Sequence, residues 1–165
     1  MVENTEDVIR ILDRNWVKDG MIMHMAFTLR ERESYISVNR TSVDSCDTDI
    51  ESFVCSHPSF YSDDIRQNYW RALLNVGKIR DISVSTDELK LNIDVEVEPR
   101  DTFTKSHAGI FTRHEGKNIK QEDFIHIKEL NKGVSADSIL LEVRDQLLQL
   151  AELQLCNTIT DNKKN

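Results

Sequence analysis

The sequence predicts an α+β domain: a mostly antiparallel sheet of four to six strands, helices packed on one side, and a long C-terminal helix. Three observations carry this. Residues 90–98 alternate without a break, putting Leu91, Ile93, Val95 and Val97 on one face and Asn92, Asp94, Glu96 and Glu98 on the other. That is the pattern of a half-buried antiparallel strand. The longest apolar run, residues 21–29, follows Asp19-Gly20, a pair that favours positive φ and a tight turn. Residues 136–156 carry apolar side chains at helical spacing over more than half of a helix circumference, wider than the usual surface stripe.

Taken in order, residues 5–14 read as a short helix with Val8, Ile9 and Leu12 on one face and Asn4 or Thr5 as cap. Strands follow near 21–29 and 35–38, joined by the charged loop Arg30-Glu-Arg-Glu-Ser34. In the first of these, Met21, Met23, Met25, Phe27 and Leu29 share a face, either as core filling or as an adaptable binding surface. Thr48-Asp-Ile-Glu51 fits a capping box opening a helix with Ile50, Phe53 and Val54 on one side. That helix must stop before Pro58. Ser62-Asp-Asp64 opens another, with Ile65, Tyr69, Leu73 and Leu74 at helical spacing and Gly77 as its terminator. Residues 79–84 read as the hairpin partner of 90–98, with Ser85 to Glu88 between them. Pro99 stops the ladder. His107 begins a short strand to Thr112, residues 113–121 form a charged loop, and 123–130 fit strand or helix equally. Ser135 caps the last helix, with Val134 and Ile139 as a hydrophobic staple.

A chain of 165 residues fits one domain, here 1–157, with a core that needs no metal or disulfide staple. Residues 158–165 form a polar tail expected to fray. The net charge of −8 argues against nucleic acid as a partner, since backbone phosphates demand a basic surface. Cys46, Cys55 and Cys156 match no zinc spacing and fit free thiols. The acidic, polar N-terminus is not a secretory signal, and no apolar run approaches the roughly 20 residues that span a bilayer. These features predict a cytoplasmic protein with no membrane segment.

No sequence motif names a reaction. The five histidines form no recognised metal pattern, so no metal and no cofactor is expected. There is no Gly-x-Ser-x-Gly elbow and no glycine-rich phosphate loop. His107, beside Ala108 and Gly109, sits where a ligand can approach the backbone closely; it suits anion binding or general-base work as well as tying down its own turn. Arg30, Arg32 and Arg40 suit a carboxylate or phosphate, although Glu31 and Glu33 interleave with the first two.

Asp19-Gly20, Ala26-Phe27 and Ile36-Ser-Val-Asn-Arg40 form one block, and Val95 to Pro99 with Ser106-His-Ala-Gly-Ile110 forms another. Together they resemble a group of small uncharacterised bacterial proteins that pair an Asp-Gly…Ala-Phe…Leu-Ser-Val motif with a later Val…Pro…His-Ala-x-Ile motif. The resemblance covers about half the chain; the spacer from Cys46 to Leu74 and everything after Thr112 are unmatched. It implies a bacterial cytoplasmic domain and points to Asp19, Arg40 and His107 as a candidate polar site. It carries over no mechanism.

The expected function is a non-enzymatic protein-interaction or regulatory module. Its partner would be another protein or a second copy, docked through the wide apolar face marked by Leu141, Leu148 and Leu155. The rival expectation is an enzyme or ligand-binding protein acting on a phosphate-bearing small molecule or nucleic acid, with Asp19, Arg40 and His107 gathered in one cleft.

Overall fold

The chain enters its sheet with a strand, not a helix. In β1 (Asp7–Leu12), Val8 and Leu12 are buried on one face while Ile9 is buried on the other. Apolar residues at 8, 9, 11 and 12 satisfy a helical stripe and a two-sided strand equally. Pairing decides between them, because β1 is hydrogen-bonded antiparallel to a neighbour along each edge. This corrects the helix expected over 5–14. The computed structural model describes residues 1–29, 33–84, 91–97, 104–114, 116–118 and 136–157. Arg30, Arg32, the loop 85–88, the segment 123–130 and the tail 158–165 lie outside the described residues.

After β1 comes a single 3-10 turn, Arg14–Trp16, and then a small hairpin, β2 (Val17–Lys18) and β3 (Met21–Ile22). Asp19 and Gly20 both have positive φ, 52° and 75°, as a type I′ turn requires. The strand expected over 21–29 ends at Ile22. Residues His24–Phe27 form a second 3-10 turn that buries Ala26 and Phe27 and leaves Met21 and Met25 exposed. The methionines therefore do not share one face.

β4 (Ile36–Arg40) leads to α1 (Cys46–Ser56), which stops before Pro58 as expected but starts from Ser45, ahead of the Thr48 box. Ser62 caps α2 (Asp63–Gln67), accepting from the Ile65 N–H. The expected long helix gives way at residue 68 to β5 (Asn68–Asn75), which pairs with β1 over six residues. Here too the apolar residues face both ways: Ala72 and Leu74 to one side, Tyr69 and Leu73 to the other. Gly77 lies inside α3 (Val76–Arg80) and does not end a helix. A Cβ on Gly77 would sit 2.9 Å from the Asn4 carbonyl oxygen, so the glycine allows α3 to close on the N-terminal segment. α3 also replaces part of the strand expected over 79–84.

The remaining elements are β6 (Leu91–Val97), β7 (His107–His114), β8 (Lys117–Asn118), α4 (Ala136–Leu150) and β9 (Glu152–Asn157). The sheet order is β6-β7-β4-β1-β5-β9, with β8 paired to the end of β7; its seven strands pair antiparallel throughout. The α+β class and the antiparallel sheet are as the sequence predicts, with one strand beyond the expected range. The helix expected over 136–156 ends at Leu150. Ala151 turns the chain, and β9 runs back along β5 with Leu155 opposite Trp70.

One face of the sheet holds the main core: Val8, Leu12, Val38, Leu74, Val95 and Ile110 against Ile79 of α3 and Val143 and Leu147 of α4. On the second face, Cys46, Ile50 and Val54 of α1 pack with Ile9, Tyr69 and Phe60. Helices thus lie on both faces, because β1 and β5 are apolar on both. The rest of the second face carries polar groups from β4, β6 and β7. There Arg113 grips Glu96 with both terminal nitrogens, and Arg80 Nε donates to Asp94 Oδ1 at 2.7 Å.

Candidate functional site

α1 presents two stripes. Residues 46, 50 and 54 pack on the sheet. Asp49, Ser52, Phe53 and Ser56, at i, i+3, i+4 and i+7, share another face and line a cavity of about 460 Å³. The sheet supplies the opposite wall through Ser37, Asn39 and His107. Asn39 and His107 are register partners across β4 and β7, so their side chains emerge on the same face. The turn after α1 contributes His57, Ser59 and Phe60, the end of β1 contributes Arg10 and Ile11, and the 3-10 turn that follows contributes Asp13 and Trp16.

The cavity exists because two strands part. β1 and β4 pair only at Val8–Arg40 and Ile9–Asn39. Beyond that point Arg10 fills the fork. Its Nε donates to the Ala26 carbonyl, its Nη1 donates to the Ser37 carbonyl at 2.8 Å, and its guanidinium lies 5.1 Å from the Trp16 ring centre. The side chain is nearly sealed, with 9% of the residue exposed.

Asp49 anchors the opposite end. Its Oδ2 accepts from the Ser106 N–H at 3.0 Å and from the Ser45 hydroxyl at 2.9 Å. Burial alone would push this carboxyl up, but hydrogen bonds from Ser106, Ser45 and Thr104 outweigh it and hold the group below the usual aspartate value. Asp49 is therefore a carboxylate at neutral pH, and it makes no ion pair among the described residues. The Ser106 hydroxyl donates to Asn39 Oδ1 at 3.2 Å, which ties β4 to the start of β7.

Aromatic rings close the rest. Phe53 and His57 lie with ring centres 4.8 Å apart and planes tilted by 30°, and Phe60 meets Phe53 edge-on at 6.1 Å. Phe53 remains 42% exposed. Behind His107, Tyr35 lies across Gly109. A Cβ on Gly109 would come within 2.6 Å of the Tyr35 ring, so glycine is needed for this packing.

Of the three polar candidates, only His107 lines the cavity. Asp19 occupies the turn of the β2–β3 hairpin, exposed. Arg40 lies on a neighbouring strand to His107, but strand alternation sends it to the other face, where it forms a two-pronged ion pair with Glu6: Nε–Oε1 2.8 Å and Nη2–Oε2 3.1 Å. Leu141 and Leu155 are 45% and 47% exposed, on α4 and β9 respectively, and Leu148 is packed against the core. Leu155 belongs to a strand, so the three leucines do not make one helical seam.

Arg10, Asp13, Trp16, Asp49 and Phe53 were not foreseen. The spacing 49, 52, 53, 56 was the one available signal; Phe53, expected on the packed side with Ile50 and Val54, belongs instead to this second stripe.

Two of the three thiols are held in their protonated form by burial. Burial pushes Cys46 up to about 11 and also raises Cys156. Among the described residues no group of three or more His, Cys, Asp or Glu is placed to hold a metal ion, and no helix is long and apolar enough to cross a membrane. No protein-family model matches the chain, and no curated protein or solved structure does so either.

Proposed function

We propose that this domain works by binding rather than by catalysis, and that its binding site is the cavity between α1 and the sheet. One observation carries the reading: an open-mouthed cavity of about 460 Å³ joins an aromatic wall to a polar floor, within the roughly 300–1,000 Å³ typical of small-molecule sites. The side chains there also favour binding. The His57 Nδ1 accepts from the Ser59 N–H, and the Ser56 hydroxyl donates to the Ser52 carbonyl, so these groups serve their own turns. The free cysteines support a reducing, cytoplasmic setting.

The test is thermal unfolding of the full chain against a library of small molecules. A ligand at 100 times its Kd adds about 2.7 kcal/mol, which raises the Tm by roughly 5–10 °C for a chain of this size. Ser52→Phe fills the cavity from an exposed helix position and is expected to abolish the rise while leaving the unliganded Tm nearly unchanged. Ligands whose effect survives Ser52→Phe would contradict the assignment.

A second reading rests on the exposed Leu141 and Leu155 and on β9, which ends the sheet order among the described residues. An end strand offers unpaired backbone groups to another chain, and a second copy of this domain would fit the interaction-module expectation. Sedimentation equilibrium decides: this reading predicts a dimer that Leu155→Lys dissociates, and a single 19 kDa species in the unaltered protein contradicts it.

A further inference from the structure

We propose that the cavity receives a positively charged, hydrogen-bond-donating group, an ammonium or guanidinium carried on a small apolar body. The proposal rests on reading this cavity as the binding site. Its first support is charge. Among the described lining residues, Asp13 and Asp49 are carboxylates without an ion pair, and Arg10 is the one guanidinium. Arg10 directs Nε and Nη1 to the Ala26 and Ser37 carbonyls and lies against Trp16, so these two nitrogens are already engaged.

The second support is hydrogen-bond polarity. Asp49 is held by neutral donors and has no cation opposite it among the described residues. Asp13 accepts from the Asn15 N–H at 2.9 Å and likewise has no ion-pair partner there. The Ser56 hydroxyl donates its proton to backbone carbonyls at 2.8 and 3.3 Å, which leaves its oxygen able only to accept. A ligand rich in donors meets these groups, whereas a phosphate or carboxylate would face Asp13 and Asp49, which have no ion pair among the described residues.

The third support is independent of the carboxylates. Phe53, Phe60 and Trp16 present rings around the same space, and aromatic faces attract cations within about 6 Å. The same rings accommodate the apolar body of the ligand.

The experiment is calorimetric titration of the full chain with four probes of similar shape: benzamidinium, benzylammonium, neutral benzyl alcohol and benzoate. N-acetyl-arginine amide is added as a fifth. The cationic probes are expected to bind at least about tenfold tighter than benzyl alcohol, with benzoate weaker still, in line with hydrogen bonds to charged groups. Asp49→Asn is expected to reduce cation affinity by about tenfold. Asp13→Asn, which keeps a capping side chain, provides the same readout if Asp49→Asn does not fold. Ser52→Phe should remove binding of all the cationic probes. Tighter binding of N-acetyl-arginine amide than of benzamidinium identifies a basic polypeptide side chain as the source of the cation; the reverse order identifies a free small cation. If benzyl alcohol or benzoate binds as tightly as the cations and Ser52→Phe removes it, the charge assignment is overturned while the cavity reading stands. If no probe binds in a manner sensitive to Ser52→Phe, both fall.

Discussion

Arg40→Met is expected to lower the free energy of unfolding by about 3 kcal/mol, the lower end of the cost of breaking a buried ion pair. Glu6 is almost fully buried and its carboxylate meets the Arg40 guanidinium through two bonds. Removing the guanidinium strands that charge. The lower end applies because Arg40 keeps some contact with solvent. The pair also makes stability depend on pH. Burial pushes the Glu6 carboxyl up, but hydrogen bonds from Arg40 and Ser42 more than offset it and hold the group below its usual value. A carboxyl depressed in the folded state contributes stability above its unfolded pKa, about 4.3, and that contribution fades as pH falls through the folded value. Urea unfolding between pH 7 and pH 3 should therefore show a steeper acid loss in the parent than in Arg40→Met. Adding Glu6→Gln to Arg40→Met should recover about 1 kcal/mol or more, as coupled partners do. Strict additivity, or an Arg40→Met as stable as the parent, would show that the pair is not what joins β4 to the chain ahead of β1.

Arg10→Met is expected to cost roughly 2–5 kcal/mol, since two carbonyls each lose a charged donor worth about 1–3 kcal/mol. Methionine matches the length of the stem and can fill the fork, so the loss reports hydrogen bonds more than volume. The carbonyls at stake are those of Ala26 and Ser37, which belong to the 3-10 turn and to β4. Without Arg10 the two strands can pair further, and the space that their separation creates should shrink. Denaturant unfolding measures the first effect. Loss of ligand-induced stabilisation measures the second, even under conditions where the variant is fully folded. An Arg10→Met that keeps both its stability and its ligand response would remove Arg10 from the account.

Local features were legible and long-range ones were not. The Asp19-Gly20 turn and the alternation of Ile93 and Val95 depend on neighbours within a few residues, and both appear where the sequence puts them. β1 and β5 misled because they are buried on both faces, and an apolar pattern at 8, 9, 11 and 12 or at 69, 72, 73 and 74 has no period of two to find. Leu147, Leu148 and Leu150 run into Leu153 and Leu155 with no glycine or proline between, so nothing local announced the switch from α4 to β9. The pairing of β9 with β5 decides it.

The site followed the same rule. Gly109 marked a close approach beside His107, but the Tyr35 ring makes it, where the sequence suggested room for a ligand. Arg40 looked available for a ligand because its partner Glu6 lies 34 residues away. Arg10 was hidden in a segment with the wrong period. Asp49 was legible as a helix-start residue but not as a cavity wall, since its partner Ser106 lies 57 residues further on.

The most direct test of the central claim is an amide chemical-shift map of the labelled full chain, taken with and without a ligand that stabilises it. The account predicts that the largest changes fall on Asn39, Asp49, Ser52, Phe53, Ser56 and His107, from three elements whose side chains together line the cavity. Changes centred instead on α4 and β9, with the amides of α1 unmoved, would contradict it.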